Sequence, residues 1–166
     1  MNKALLDKAI NNLAIHDVYL SSSTIDVKNG FIPELQTEPL LIQFKNSIQG
    51  SSLAKIEGDE NFKALLIYHY DVGFRALPQG LSDEIMANEE LLKNEILAEV
   101  TATFNASYYA KEILDDDEMM EFGFSNVGFN VWPYWREYAS SIANRIRLPH
   151  FIVPLKRVND IKEPTQ

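Results

Sequence analysis

The chain has 166 residues, of which 46% are hydrophobic and 23% are charged. These proportions are typical of one globular domain, and a domain of this length folds without help from a metal ion or a disulfide. The sequence contains no cysteine, which excludes disulfides, cysteine zinc sites and thiol nucleophiles from this chain. With a net charge of -9, its surface would repel a phosphate backbone, so nucleic-acid binding is not expected.

The beginning of the sequence bears on location. Asp7 interrupts the short apolar run after Met1, unlike the apolar core of a secretory signal, so we expect a cytoplasmic protein. No stretch approaches the roughly 20 apolar residues that a bilayer-spanning helix needs. Membrane insertion is therefore not expected.

The first third of the chain predicts one helix and two strands. Apolar residues recur at helical spacing within residues 1–12, which favours a short amphipathic helix. Residues 13–27 are rich in β-branched and aromatic side chains, indicating a long strand with a break near Ser21 to Ser23. Residues 40–48 alternate between apolar and polar, which predicts a second strand.

Two further strands show the clearest alternation. In residues 62–77 and 96–108 the even positions are apolar and the odd positions are mostly polar. We therefore expect the even face of the sheet to lie on the core and the odd face to meet solvent. A turn at Pro78 and a short helix over residues 83–93 form an insert between these strands, spanning 78–93.

Helices are predicted for residues 115–148. Three aspartates from Asp115 offer a helix N-cap, and a second helix is expected to begin near Pro133, because proline is tolerated in a first helical turn. An extended tail, 149–166, follows. Strands first and helices afterwards predict an α+β fold: a four-stranded antiparallel sheet, 13–109, with helices packed on one face, in a single domain, 1–166.

No constellation of reactive groups is recognisable in the sequence. The three histidines show no metal-ligand spacing, and Asp115 to Glu118 suit a helix cap better than a cation site. There is no glycine-rich phosphate loop, and neither Ser51-Ser52 nor Ser140-Ser141 has a histidine nearby in sequence. We therefore expect neither a metal, nor a cofactor, nor an enzyme activity.

Aromatic residues are concentrated between Phe122 and Tyr138. They point in several directions around any helix, so a single core-facing stripe cannot bury them all, and some should contact another subunit or a client polypeptide. The candidates for these contacts are Phe44, Phe74, Phe122, Phe124, Phe129, Trp132 and Trp135.

One six-residue block carries a family resemblance. Trp132-Pro133-Tyr134-Trp135-Arg136-Glu137, followed by serines, Arg145 and Pro149, resembles the SecB family of protein-export chaperones. Residues 15–20 and 96–100 are similar to the first and fourth strands of that family. Its structural signature would be Pro133, Tyr134, Arg136 and Glu137.

The resemblance implies an ATP-independent holdase, a homotetramer built as a dimer of dimers, that binds unfolded preproteins in apolar grooves and keeps them competent for translocation or folding. It also implies a docking face for the motor SecA, at the matching residues Asp17, Leu97 and Glu99. The chain departs from the family at Ser21, in the insert 78–93 and in the few residues after Val158. These departures favour the alternative of a dedicated chaperone or adaptor for one partner, such as the antitoxin of a toxin–antitoxin system.

Overall fold

The computed structural model describes residues 2–157. The chain begins with helix α1, Lys3–Asn12, and the remaining helices come after or between the strands. The strands are β1 Leu13–Val27, β2 Leu40–Lys55, β3 Ala64–Pro78 and β4 Ala98–Ala110. The helices are α2 Asp83–Ala87, α3 Glu89–Glu95, α4 Asp116–Phe122 and α5 Gly128–Arg145, with a 3-10 turn at Pro33–Leu35.

The four strands form one antiparallel sheet in the order β1-β4-β3-β2. Helices α4 and α5 pack on one face of it, which confirms the predicted α+β class. We call this the helix side and the opposite face the outer face. Strands β1 and β2 are the two edges, and each leaves one row of backbone groups without a neighbouring strand.

The alternation in β3 and β4 positions the core as expected. Even-numbered side chains of both strands are buried on the helix side. Tyr68 donates a hydrogen bond of 2.7 Å from its hydroxyl to the backbone oxygen of Met119 in α4. The ring of Tyr108 meets that of Phe122 edge-on with centroids 5.1 Å apart. Burial of such rings is the main source of stability in a core of this kind.

Strand β1 departs from simple alternation. Two bulges, between Ile15 and Asp17 and between Leu20 and Ser22, shift its pairing with β4. Each bulge adds a residue and therefore reverses which parity faces the core. The predicted break near Ser21 is the second bulge, and the strand continues through it.

The predicted start of the last helix near Pro133 is wrong. Helical structure is continuous from Asp116 to Arg145, because a π-helical turn at Gly123–Val127 joins α4 to α5, and Pro133 lies inside α5. A Cβ on Gly123 would lie 2.8 Å from the side chain of Ile48, so glycine allows this turn to approach the sheet. The predicted N-cap is present, since Asp115 and Glu118 form a reciprocal capping box.

The insert between β3 and β4 contains two short helices where one was predicted. Asn88 separates them and caps α3. The insert folds onto the outer face, where Arg75 of β3 forms an ion pair with Glu89. Leu77 of β3 and Leu92 of α3 are fully buried but lie outside the main core.

Among the described residues, no helix is long and apolar enough to cross a membrane. Residues 149–157 of the predicted tail, 149–166, form neither a helix nor a strand, and the remainder lies outside the described residues.

Candidate functional site

The three predicted docking residues lie on the outer side of the sheet but do not form one cluster. Asp17 pairs across the sheet with Ser107, whereas Glu99 lies at the opposite end of β4. Eight residues of strand separate these positions, which is about 26 Å at the usual rise. Leu97 directly precedes β4, so it lies near Glu99 and far from Asp17.

The surroundings of Glu99 are charged. Arg75 lies opposite it on β3, and Asp26 lies opposite it on β1. With Lys93 of α3, Arg75 and Glu99 line a cavity of about 400 Å³ between the insert and the outer face. Hydrogen bonding to Arg75 lowers the pKa of Glu89 at the same cavity, so this carboxylate stays ionised to a lower pH than an ordinary glutamate. The insert therefore narrows access to the predicted docking position at Glu99.

A hydrogen-bonded chain on the outer face was missed from the sequence. The hydroxyl of Ser52 lies 3.0 Å from Nε2 of His69, and Nδ1 of His69 lies 2.8 Å from Oδ1 of Asn105. Because Oδ1 is an acceptor, Nδ1 of His69 donates to it, which in the neutral imidazole leaves Nε2 to accept from the Ser52 hydroxyl. The sequence separates Ser52 and His69 by 17 residues, but the β2–β3 pairing after the bulge at Ile48 and Gly50 brings them together.

The order hydroxyl, imidazole, amide resembles that of a nucleophile with its base and orienting group. However, all three side chains project from the middle of strands, while the backbone N–H groups lie in the plane of the sheet. No pair of N–H groups is thus aimed at an oxyanion above Ser52, as acyl transfer requires. We assign these residues a role in fastening β2, β3 and β4 together.

The aromatic candidates fall into three groups. Four are buried within the subunit core, two are half-buried, and one is exposed. In that order they are Phe74, Phe122, Trp132 and Trp135; Phe44 and Phe129; and Phe124. The core of a single subunit therefore buries most of these aromatic candidates.

The residues of the six-residue block have separate surroundings. Pro133, Tyr134 and Glu137 are exposed on α5, whereas Arg136 is half-buried. The Arg136 Nε–H donates a hydrogen bond of 3.1 Å to the backbone oxygen of Val153. This contact ties α5 to the C-terminal segment.

An apolar row along β1 is the main exposed feature of the helix side. Its members face the same side as the buried residues of β4 with which they pair, yet α5 does not cover them. Each is between 40% and 54% exposed: Ile15, Leu20, Ile25 and Val27. Parity reasoning could not find this row, because the two bulges place odd and even residues together in it.

Clustered metal ligands are not found: residues 2–157 contain no group of three or more histidine or acidic side chains that could hold a metal ion. The surface features are instead an apolar row on a free strand edge and a polar outer face.

No family model and no curated protein matches the sequence. The fold, however, is that of the SecB-like chaperones. It is similar to the Mycobacterium tuberculosis SecB-like chaperone Rv1957, solved in complex with a ChAD peptide from the HigA1 antitoxin Rv1956, with a TM-score of 0.67. The two are 13% identical, and the match covers 93% of this chain and 98% of that chain. At this identity the likeness establishes the fold, which agrees with the resemblance found in the sequence.

Proposed function

We propose that this protein is an ATP-independent holdase of the cytoplasm, which binds apolar segments of unfolded polypeptides and keeps them competent for folding or translocation. The observation that carries this proposal is the exposed apolar row on β1, at a free edge of the sheet. Such a row on a soluble chain marks a surface for polypeptide contact. The SecB-like fold supports this function.

The working form that we propose is a homotetramer, a dimer of dimers. Strand β1 is 15 residues long and unpaired on one side, and an unprotected edge of that length readily pairs with another strand. A second copy of β1 would bury part of the apolar row and leave the rest for clients. Light scattering of the purified protein should therefore give about four times 18.9 kDa, and a monodisperse monomer would contradict the proposal.

A dedicated chaperone or adaptor for one partner, such as an antitoxin, is the second candidate. It is favoured by the antitoxin peptide in the structure of the Mycobacterium tuberculosis protein. Docking to SecA through Asp17, Leu97 and Glu99 stays a prediction from the sequence resemblance. Two features favour a chaperone or adaptor for one partner. These are the distance between Asp17 and Glu99 and the position of the insert beside Glu99.

Aggregation assays test the proposal and separate the two candidates. The wild-type protein should delay the aggregation of several unrelated denatured proteins without ATP, whereas protection of a single partner would favour the dedicated role. Ile25→Asp places a charge in the apolar row and should reduce protection strongly. Its neighbour Thr24 faces the outer side, so Thr24→Asp is the matched control and should protect like wild type. Equal protection by both variants would contradict the assignment of the apolar row as the surface that binds unfolded polypeptides.

A further inference from the structure

The C-terminal segment, residues 149–157, forms neither a helix nor a strand and lies in a groove between α5 and strands β2 and β3. The ring of Phe151 packs against two rings of the sheet, with centroid distances of 6.0 Å to Phe44 and 4.9 Å to Phe74. Val153, two residues further on, is buried. The residues between and after them point away, since Ile152 is 74% and Leu155 is 67% exposed.

Two side chains of α5 hold the backbone of this segment. Arg136 donates to the oxygen of Val153, and Nε1 of Trp132 donates to the oxygen of Pro154 at 2.7 Å. Arg136 and Trp132 are four residues apart and so lie one above the other on the helix. Because both bonds go to backbone carbonyl groups, they would be available to any extended polypeptide in the groove.

The far end of the groove is built for a cation. Nζ of Lys156 lies 5.2 Å from the ring centre of Trp132 and 5.7 Å from that of Tyr70. It also donates hydrogen bonds of 3.1 Å to Asn46 Oδ1 and to the Tyr70 hydroxyl. A Cβ on Gly128 would lie 2.5 Å from Cε of Lys156, so glycine at this position leaves room for the cationic side chain. An ammonium group between aromatic faces is a favourable arrangement.

Residues 149–155 are held in the groove through side-chain contacts. Within the described part of the chain, residues 149–155 make no backbone–backbone hydrogen bond, although β2 beside them is an edge strand. Segments with few backbone hydrogen bonds open at low free-energy cost compared with core strands. Replacing residues 149–155 by another segment of the same chemistry would therefore break no backbone–backbone hydrogen bond of the sheet.

We propose that this groove is a polypeptide-binding site whose occupant in the free protein is residues 151–156, and that clients replace it. The preferred client is an extended segment with an aromatic residue, an aliphatic residue two positions later and a Lys or Arg three positions after that. Pockets for alternate side chains give the selectivity, and the Trp132 and Arg136 bonds give affinity that does not depend on sequence. This inference rests on the proposed holdase function and names its preferred substrate.

A labelled peptide with the sequence of residues 149–157 is the probe, and a scrambled peptide of the same composition is its control. The native peptide should bind the full-length protein at least about tenfold more tightly than the scrambled one, because only its side chains match the pockets. Adding saturating unlabelled native peptide should move the Val153 methyl NMR signals of isotope-labelled protein to the positions of a solvent-exposed valine, because replacement takes this buried side chain out of the groove. Unchanged Val153 signals under saturation would overturn the replacement.

Variants of the segment itself give the second test. Lys156→Ala weakens the internal occupant, so the protein should bind the labelled native peptide about fivefold more tightly than wild type does, since less competition remains. Phe151→Ala should act in the same direction, and Ile152→Ala, at an exposed position between the pockets, should not. Thermal melting checks that each variant is folded, and Lys156→Ala decides the matter if Phe151→Ala melts early. Equal affinities for Lys156→Ala and Ile152→Ala would refute the proposal.

The experiments can contradict the groove proposal without contradicting the holdase proposal, and the reverse. A wild-type protein that suppresses aggregation but does not discriminate between the native and scrambled peptides would retain the holdase function and lose the groove. A wild-type protein that binds and discriminates the peptides but suppresses no aggregation would retain the groove and lose the general holdase.

Discussion

Glu118 is the one acidic side chain that is fully buried within residues 2–157. Its Oε2 accepts from the backbone N–H of Asp115 at the start of α4, and its Oε1 is paired with Lys8 of α1. A buried carboxylate is tolerated only with such partners. The pair therefore joins the N-terminal helix to the helical layer, and a local capping motif acquires a tertiary role.

Removing the ammonium group tests this role. The hydrogen bond to Glu118 raises the pKa of Lys8, so the pair stabilises the fold fully below the ordinary lysine pKa of 10.5 and loses its effect as the pH rises through the raised value. Lys8→Met should lower the melting temperature at pH 7 and remove part of the alkaline loss of stability. Lys3→Met, on the same helix and exposed, is the control. Identical melting curves for wild type and Lys8→Met from pH 7 to 11 would contradict the prediction.

Phe104 and Thr101 compare the two faces of one strand. Phe104 is buried on the helix side with its ring edge-on to Tyr138, at 6.1 Å between centroids, whereas Thr101 lies on the outer face. Phe104→Ala should lower the free energy of unfolding by about 3–5 kcal/mol, because it loses transfer energy and leaves a cavity. Thr101→Ala should stay within about 0.5 kcal/mol of wild type. Urea denaturation measures both, and a reversed order would mean that the sheet faces are inverted.

Within single strands, the hydrophobic pattern of the sequence predicted the buried face wherever apolar and polar residues alternate without interruption. The even positions of β3 and β4 are buried because an unbroken period of two leaves one face on the core. Bulges and π-turns have no such period. The bulges of β1 and the π-helical turn at Gly123–Val127 form because of pairing and packing with distant residues. The alternation of odd and even residues therefore did not predict the buried face of β1, and the preference of proline for a first helical turn did not predict where the last helix begins.

The candidate site was predictable only in part, for a related reason. A motif of contiguous residues, such as the block from Trp132 to Glu137, can be recognised in sequence. Contacts such as Ser52 with His69, or Trp132 with the Pro154 oxygen, depend on strand register and on the course of an irregular segment. Neither the strand register nor the course of that segment can be predicted from the local spacing of apolar residues.

The insert of α2 and α3 should be less stable at acidic pH. Its charged contact with the sheet is the ion pair of Glu89 with Arg75, which lowers the Glu89 pKa below its ordinary value of 4.5. Stabilisation from a lowered carboxyl pKa is complete above the unfolded value and is lost as the pH falls through the folded one. Amide exchange in residues 83–95 should therefore lose protection below about pH 4.5, relative to β3. Glu89→Gln should show less protection already at pH 7 and less change on acidification, and Glu84→Gln, at an exposed position of α2, should behave like wild type.

The two faces of the sheet present different surfaces. The helix side holds the core, the apolar row and the groove of the C-terminal segment, while the outer face is polar and partly covered by the insert. The protein, with a net charge of -9, thus exposes apolar surface on one side of the sheet and polar surface on the other. Client contact and motor contact would accordingly be separable by mutation.

Glu99→Lys tests that separation. The new lysine would face Arg75 across the strand pair and share its cavity with Lys93, and like charges directly opposite each other cost about 0.2–1 kcal/mol. A small drop in melting temperature is therefore expected, with aggregation suppression unchanged, because the groove and the apolar row lie on the other face. If SecA docks at this position, charge reversal should abolish its binding; if the protein serves one partner instead, neither wild type nor variant should bind SecA. Thr101→Lys, two residues along the same face, controls for the added charge. Loss of aggregation suppression in Glu99→Lys, with the fold intact and Thr101→Lys unaffected, would show that clients use the outer face and that the division between the two faces is wrong.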